Sequence, residues 1–317
     1  MPHSTIFPTN TPLPQTKPTQ YDHIGSKYGG LKSLSAGLLE EHNLHLNSQP
    51  HIHNARVLDL ACGTGHYTRL AVQWGAKAAL GTDISPAMVK AARNIKHDVG
   101  VSYTAADATA EEIQGGGEFD AVLGSWVLNY AKDGETMAKM FATAYKNLKE
   151  GGRFVCILPH PSEQPRDTME EALKVRPSDV QGEHWITMTP TRDLEEGVRT
   201  RIDAMTDRGF VTFEAYHLRK TVVERAARKG GFDTVEWRRI RLPKGWEDDW
   251  RRYESVPHFG VLVVRKKFSH AGSREGSIIE SEASSYDENE SSMASKDTET
   301  SFVVMQGASS PFWCVCA

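Results

Sequence analysis

The stretch Val57-Leu58-Asp59-Leu60-Ala61-Cys62-Gly63-Thr64-Gly65 decides the fold. Residues 56–61 form a run suited to a buried strand, and the run breaks at a glycine turn. Glycines at 63 and 65 let the backbone turn sharply and lie close to a ligand. The helix expected over 66–74 points its first amides at the same place. Two anion-binding readings of such a loop fail on particular residues. Thr68 stands where a GxGxxG fingerprint needs its third glycine, and the lysine of a nucleotide phosphate loop is absent. Asp59, four residues before the first glycine, would repel a pyrophosphate. It suits a ligand that carries an ammonium group and a sulfonium.

Outward from this loop, strands and helices alternate. Residues 78–82 read as a second strand. Ser85 caps a helix that has Pro86 at its first position and runs to about 97. Residues 101–106, 119–124 and 153–158 read as further strands. Between the last two, Met137, Met140, Phe141, Ala144 and Leu148 share one helical face, and Gly151-Gly152 is expected to stop that helix. Short links between such elements imply a parallel sheet covered on both faces, with functional residues just beyond the carboxyl ends of the strands.

The flanks differ. Residues 1–20 are rich in Pro and Thr and read as disordered. Helical periodicity over 21–46 places Leu31, Leu34, Leu38 and Leu39 on one face, followed by a polar loop over 47–54. Residues 159–209 are polar and too long for a plain connection, which suggests a lid or substrate-shaping insertion. Residues 210–217 alternate like a strand, 221–229 read as a helix, and 234–238 and 261–265 read as strands able to pair antiparallel. The expected fold class is α/β: a Rossmann-like, doubly wound, mostly parallel sheet with an antiparallel C-terminal hairpin, in one domain over 21–268.

Composition narrows the function. The chain has 317 residues, 39% of them apolar, enough for one large domain with its own core. Residues 269–317 hold eight acids against two bases, a balance of −6, so a formal charge of −4 leaves the rest at +2. Neither part is the basic footprint of a nucleic-acid enzyme. No run is long enough for a transmembrane segment, and the first residues lack a secretory pattern. Four scattered cysteines fit no disulfide framework, so the expected location is cytoplasmic.

Three more acids or turns fall just past strand ends. Asp83 closes the second strand, where a carboxylate can accept two hydrogen bonds from a ribose diol. Asp107, in Ala105-Ala106-Asp107-Ala108, closes the third and can accept from an adenine amino group. Ser125-Trp126-Val127-Leu128-Asn129-Tyr130 follows the fourth, where a transferred group and its acceptor should meet.

In this order and spacing, these segments resemble the class I S-adenosylmethionine-dependent methyltransferases, in particular their small-molecule subgroup. The resemblance covers roughly 21–158. It implies S-adenosylmethionine as cofactor, with Asp59 at its methionine end, Gly63 and Gly65 beneath it, Asp83 on the ribose, and Asp107 with Ala108 at the adenine. It further implies Ile84 and Met88 flanking the adenine, Ser125 near the cofactor, and Tyr21 or Tyr28 closing over it. The Asp/Asn-Pro-Pro-Tyr signature of enzymes acting on DNA adenine is absent after the fourth strand.

The activity implied is methyl transfer to an O, N or S atom of a small molecule. A protein acceptor and a non-catalytic, S-adenosylmethionine-binding partner subunit are the alternatives. Trp126, Tyr130, Trp185 and Met188 are the expected acceptor-site residues. His160 follows the fifth strand on the ligand side and could act as a general base, although Pro161 beside it also marks an ordinary loop. His42, His45, His51 and His53 lack metal-ligand spacing and read as solvated surface, so no metal is expected. The last residues, Cys314-Val315-Cys316-Ala317, fit a lipidation pattern at Cys314 loosely.

Overall fold

The computed structural model describes residues 19–96, 98–110, 113, 119–174 and 184–268; the expected acidic tail, Cys314 and most of the expected N-terminal disorder lie outside these residues. The chain enters through a short helix, α1 (Tyr21–Ile24), a 3-10 segment (Gly25–Ser33) and α2 (Ser35–Ile52). Then follow β1 (Arg56–Leu60), α3 (His66–Gln73), β2 (Ala78–Asp83), α4 (Pro86–Asn94), β3 (Val101–Ala105), β4 (Phe119–Ser125), α5 (Gly134–Asn147) and β5 (Leu148–Pro159). After β5 come α6 (Pro165–Lys174), β6 (Trp185–Leu194), β7 (Gly197–Thr206), β8 (Gly209–Leu218), α7 (Lys220–Lys229), β9 (Val235–Arg238), α8 (Glu247–Ser255) and β10 (Phe259–Arg265).

Seven strands form one sheet in the order β3-β2-β1-β4-β5-β10-β9. The pairs from β3 to β5 are parallel, and β10 runs antiparallel to both β5 and β9. This is the expected doubly wound sheet with its antiparallel C-terminal pair. The strand order reverses between β1 and β4, so the loops after these two strands face each other across the crevice where ligands bind in such sheets.

Both faces of the sheet are covered because its strands are apolar on both sides. On one face α5 and α7 bury Met137, Phe141, Val222 and Ala226 against Leu58, Val122 and Phe154. On the other, α2 and α3 bury Leu39, Leu44, Tyr67 and Ala71 against Val57, Leu123 and Ile157. Phe141 makes edge contacts with Phe154 and Phe232, with ring centroids 5.9 and 6.1 Å apart.

Three sequence expectations need correction. The polar stretch 47–54 is not a loop: α2 continues through Pro50 to Ile52, and Asn47 donates to the Asn43 carbonyl within it. The face of α2 is also different, because Leu38 is 46% exposed while Glu40 and Asn43 are buried. Asn43 explains itself: its amide receives the Arg241 N–H and donates to the Arg241 carbonyl, fastening the segment after β9. Gly151-Gly152 does not stop α5. The helix ends at Asn147, and β5 begins at once because Leu148 already pairs with Phe119. The stretch 159–209, expected as a lid or substrate-shaping insertion, has secondary structure of its own. It contains α6, β6 and β7, and β6-β7-β8 make a separate antiparallel sheet.

That second sheet alternates faces as strands must. Ile202, Ala204, Val211, Phe213 and Ala215 form one apolar side, packed with Ile24, Tyr21, Tyr28 and Leu31 from the N-terminal segment. Among the described residues no helix is long and apolar enough to cross a membrane.

Phe141 bridges α5, β5 and Phe232, so Phe141→Ala should destabilise the protein by about 3–5 kcal/mol. Urea unfolding followed by tryptophan fluorescence measures this, and a loss below about 1 kcal/mol would mean that the face relaxes around the gap.

Candidate functional site

Three residues with left-handed backbone, Ala61 (φ 55), Gly63 (φ 54) and Gly65 (φ 77), fold the chain over the end of β1. The loop is hooked to β2 by the Cys62 N–H, which donates to the Thr82 carbonyl at 2.8 Å. A side chain at Gly65 would collide with the ring and hydroxyl of Tyr103. Gly63 is different. A Cβ there would meet the Tyr28 ring at 3.8 Å, across the cleft.

Two acids bracket this loop. Asp59 is buried within β1 and accepts a 2.6 Å hydrogen bond from Thr68 Oγ1. The residue that replaces a third glycine therefore holds the acid. Asp83 ends β2, and its two carboxylate oxygens accept from the Gly63 N–H at 2.8 Å and the Ser85 N–H at 2.9 Å. Ser85 in turn caps α4 by accepting from the Met88 N–H. Burial pushes the Asp83 carboxyl up, against those two backbone donors. Burial likewise pushes Asp59 up, to about 7, with the Thr68 hydrogen bond opposing.

Tyr28 divides the space above the loop. A cavity of about 370 Å³ on one side touches Asp59, Thr64 and Tyr67. One of about 290 Å³ on the other touches Gly63, Asp83 and Met88. Ala61 and Ser125 line both. An acid at each end, a glycine floor and an aromatic cover fit the chemistry of S-adenosylmethionine: Asp59 suits its cationic amino acid end and Asp83 its ribose diol.

The other expected cofactor residues divide. Tyr21, Tyr28, Asp59, Gly63, Asp83, Met88 and Ser125 meet around the two cavities, and Gly65 supports the loop behind them. Ile84 stands at the rim beside Asp83, 41% exposed. Ala108 packs against the core. Asp107 is not brought to the cleft: its carboxylate accepts from the Thr109 N–H and hydroxyl and lies exposed. Such a local turn is what an Asp at a strand end forms when nothing else engages it.

A third and larger cavity, of about 660 Å³, lies between the crevice and the inner face of β6-β7-β8. Tyr28 and Tyr130 separate it from the cofactor cleft. Met188 lines it, together with Ile186, Ile202, Phe213 and Met169. Trp185 does not. One residue along β6 from Ile186, it faces the opposite side and packs on Phe210, with ring centroids 6.3 Å apart. Tyr130 hydrogen-bonds the Tyr21 hydroxyl, and burial pushes its own phenol up to about 12. Trp126 lines the cavity with a left-handed backbone (φ 66), a strained state for a bulky residue.

What holds Trp126 there is a set of residues that sequence reasoning did not single out. Its indole Nε1–H donates to Glu40 Oε2 at 2.8 Å, and its ring stacks on His258. Glu40 also accepts from Lys32 Nζ at 3.2 Å, and its Oε1 lies 2.9 Å from His258 Nε2. Burial pushes the Glu40 carboxyl up, but Lys32, His258 and Trp126 outweigh it and hold it at about 2. Lys32 is raised despite its burial, by Tyr67 and Glu40. The available signal was weak: a charged residue on the apolar side of a helix.

His160 is half-buried in a side cavity of about 300 Å³, with His217 and His258, away from the cofactor loop. Its carbonyl accepts from the His217 ring at 2.7 Å. The other noted histidines sit on α2 and at its end, where His45 stacks on Trp74 and His51 contacts Arg153.

Residues 57–152 match the family model described as a methyltransferase domain. The chain is 31% identical over 116 residues to the ribosomal protein L11 methyltransferase of Polynucleobacter necessarius, a match covering 35% of this chain and 33% of that protein. The chain thus spans about a third of the length of this curated relative. Among solved structures, a Listeria monocytogenes protein assigned to the S-adenosylmethionine-dependent methyltransferases aligns with a TM-score of 0.51 at 23% identity. It covers 74% of this chain and 100% of that one. A Clostridium acetobutylicum S-adenosylmethionine-dependent methyltransferase aligns with a TM-score of 0.51 at 16% identity, over 76% of this chain and 98% of that one. These likenesses carry the fold. Within that fold, residues 57–152 are the part that matches the methyltransferase-domain model.

The raised pKa of Asp59 has a testable sign. A carboxyl raised from the ordinary range near 4 to about 7 favours the folded state while protonated, and that advantage is lost as pH rises between about 4 and about 7. Melting curves of the ligand-free protein should therefore fall across this window more steeply than those of Asp59→Asn. Parallel curves would mean that Asp59 ionises normally.

Proposed function

We propose that the chain is an S-adenosylmethionine-dependent enzyme that methylates a small, largely apolar molecule. The observation that carries this reading is the 660 Å³ cavity, which shares Tyr28 with both halves of the cofactor cleft. Its walls are mostly apolar with a few placed polar groups, the lining typical of a small-molecule site.

When bound, S-adenosylmethionine supplies a methyl group already activated by the sulfonium. The residues then have little bond-breaking chemistry to do; their task is positioning. Asp59, buried and held by Thr68, would receive the cationic end. Asp83, fixed by two backbone donors, would present its remaining lone pairs to the ribose. Tyr28, Tyr130 and Trp126 stand between this cleft and the acceptor cavity, where they would exclude water from the transfer point. Ile186, Met188, Ile202 and Phe213 would hold the acceptor's apolar body.

Among the described residues, no strong base faces this point. Glu40 is committed to three partners. His160 sits in the side cavity rather than at the transfer point, so a role as general base would require another route to the acceptor. The arrangement favours an acceptor that loses its proton easily or needs no base.

Transfer of labelled methyl from S-adenosylmethionine to compounds in a metabolite extract, by the purified full chain, tests the activity. Absence of any labelled small molecule, with label in protein instead, would overturn the small-molecule reading. Asp83→Ala should weaken S-adenosylmethionine binding by about 1–3 kcal/mol. Unchanged affinity by calorimetry, in a variant that melts as a folded protein, removes Asp83 from the cofactor site. The acceptor wall makes a paired prediction. Met188→Ala should raise the acceptor KM several-fold with cofactor affinity unchanged, whereas Trp185→Ala should lower the melting temperature and leave KM alone.

A further inference from the structure

The large cavity carries almost no unbalanced charge. Among the described residues, the charged side chains on its wall are Lys32 and Glu40, and they pair with each other at 3.2 Å, both buried. Glu40 has both oxygens engaged, by Lys32 and Trp126 on one and His258 on the other. An anionic acceptor would compete with Glu40 for Lys32. A cationic one would compete with Lys32 for Glu40. Either would strip a buried ion of its partner, which is strongly unfavourable. His217, also on the wall, adds no charge at neutral pH, because burial pushes its imidazole down to about 4.

Among the described residues, one fully buried polar atom on the wall has no hydrogen-bond partner. Asn129 follows β4 on the same turn as Trp126 and Tyr130, and it is 5% exposed. Its amide reaches the Tyr130 hydroxyl. Its Oδ1 is buried and has no hydrogen-bond partner among the described residues. A buried carbonyl oxygen in a native protein normally has a donor, so a missing one points to a ligand. Asn129 stands beside Tyr130, which lines both the acceptor cavity and the cofactor cleft.

We propose that the acceptor is an uncharged, mainly apolar molecule with an O–H or N–H that donates to Asn129 Oδ1, and that the Lys32–Glu40 pair rejects charged acceptors. Asn129 is then a specificity residue that orients the polar end of the acceptor toward the transfer point. This inference rests on the reading of the cavity as the acceptor site of a methyltransferase.

The test uses the full chain with S-adenosylhomocysteine present and three probes of one shape: 2-naphthol, naphthalene and 2-naphthoate. Calorimetry is run near neutral pH, where the first is uncharged and the last is ionised. In the wild-type protein 2-naphthol should bind about ten-fold more tightly than either of the others. Asn129→Leu, of similar size, should remove the preference of 2-naphthol over naphthalene, since the unpaired oxygen goes with it. Tighter binding of 2-naphthoate would overturn the proposal and show an anion site at Lys32. A 2-naphthol preference that survives Asn129→Leu, or no binding of any probe, would overturn it too. The wild-type comparison decides by itself if the variant does not fold. Titration with S-adenosylmethionine on the same samples separates the two levels. Absence of the 2-naphthol preference in the wild-type protein, with normal cofactor binding, overturns only this inference, while failure to bind the cofactor overturns the methyltransferase reading.

Discussion

The buried carboxylate of Glu40 ties together segments far apart in sequence. It receives Lys32 from the 3-10 segment, Trp126 from the turn after β4, and His258 from the entrance to β10. A lone ionised carboxylate in this position would be prohibitive, and here three donors repay its lost hydration. The consequence is geometric. Trp126 is held in a left-handed conformation that a bulky residue avoids. The turn that carries Asn129 and Tyr130 is thereby set against α2. The wall between the cofactor cleft and the large cavity depends on that turn.

Two sheets divide the remaining work. The parallel sheet places its strand ends, and so Asp59, Gly63, Asp83 and Ser125, along one crevice at the reversal between β1 and β4. The antiparallel sheet β6-β7-β8 presents an apolar inner face toward that crevice. The N-terminal segment joins them: Tyr21 and Tyr28 pack on each other, Tyr21 reaches Tyr130 in the first region, and both rings meet Phe213 in the second. A two-part cleft and a large apolar cavity with one shared aromatic wall follow from this packing. On the proposed reading, the short distance between them is the main catalytic resource, because methyl transfer from a sulfonium is limited chiefly by alignment.

The polar groups in this region are arranged by need. Thr68 engages Asp59, backbone N–H groups engage Asp83, and Glu40 has three donors. Asp59 still has its pKa raised to about 7, and Asn129 Oδ1 has no donor among the described residues. Both exceptions lie on cavity walls. Unsatisfied groups elsewhere in a core would simply cost stability; at cavity walls they mark where a ligand completes the bonding.

The sequence by itself determined the parallel sheet, its helices and the glycine loop after β1. These features rest on local rules: strand and helix periods, the Ser85 cap, and glycines at turns with positive φ. The same local logic found Asp59 and Asp83, because a residue at a strand end is placed by its own strand. It misjudged Asp107, whose side chain bonds to its own turn, and Trp185, whose alternation along β6 points it away from the cavity. The strands within 159–209 were not legible, because they are short of apolar residues on their solvent side and their pairing is set by register with β8 rather than by composition. Only the tertiary structure brought Lys32, Glu40, Trp126, Asn129 and His258 together. Their roles arise from contacts between residues as far apart as 218 positions, and burial, which gives a charged or amide side chain its meaning, is a property of the packed molecule.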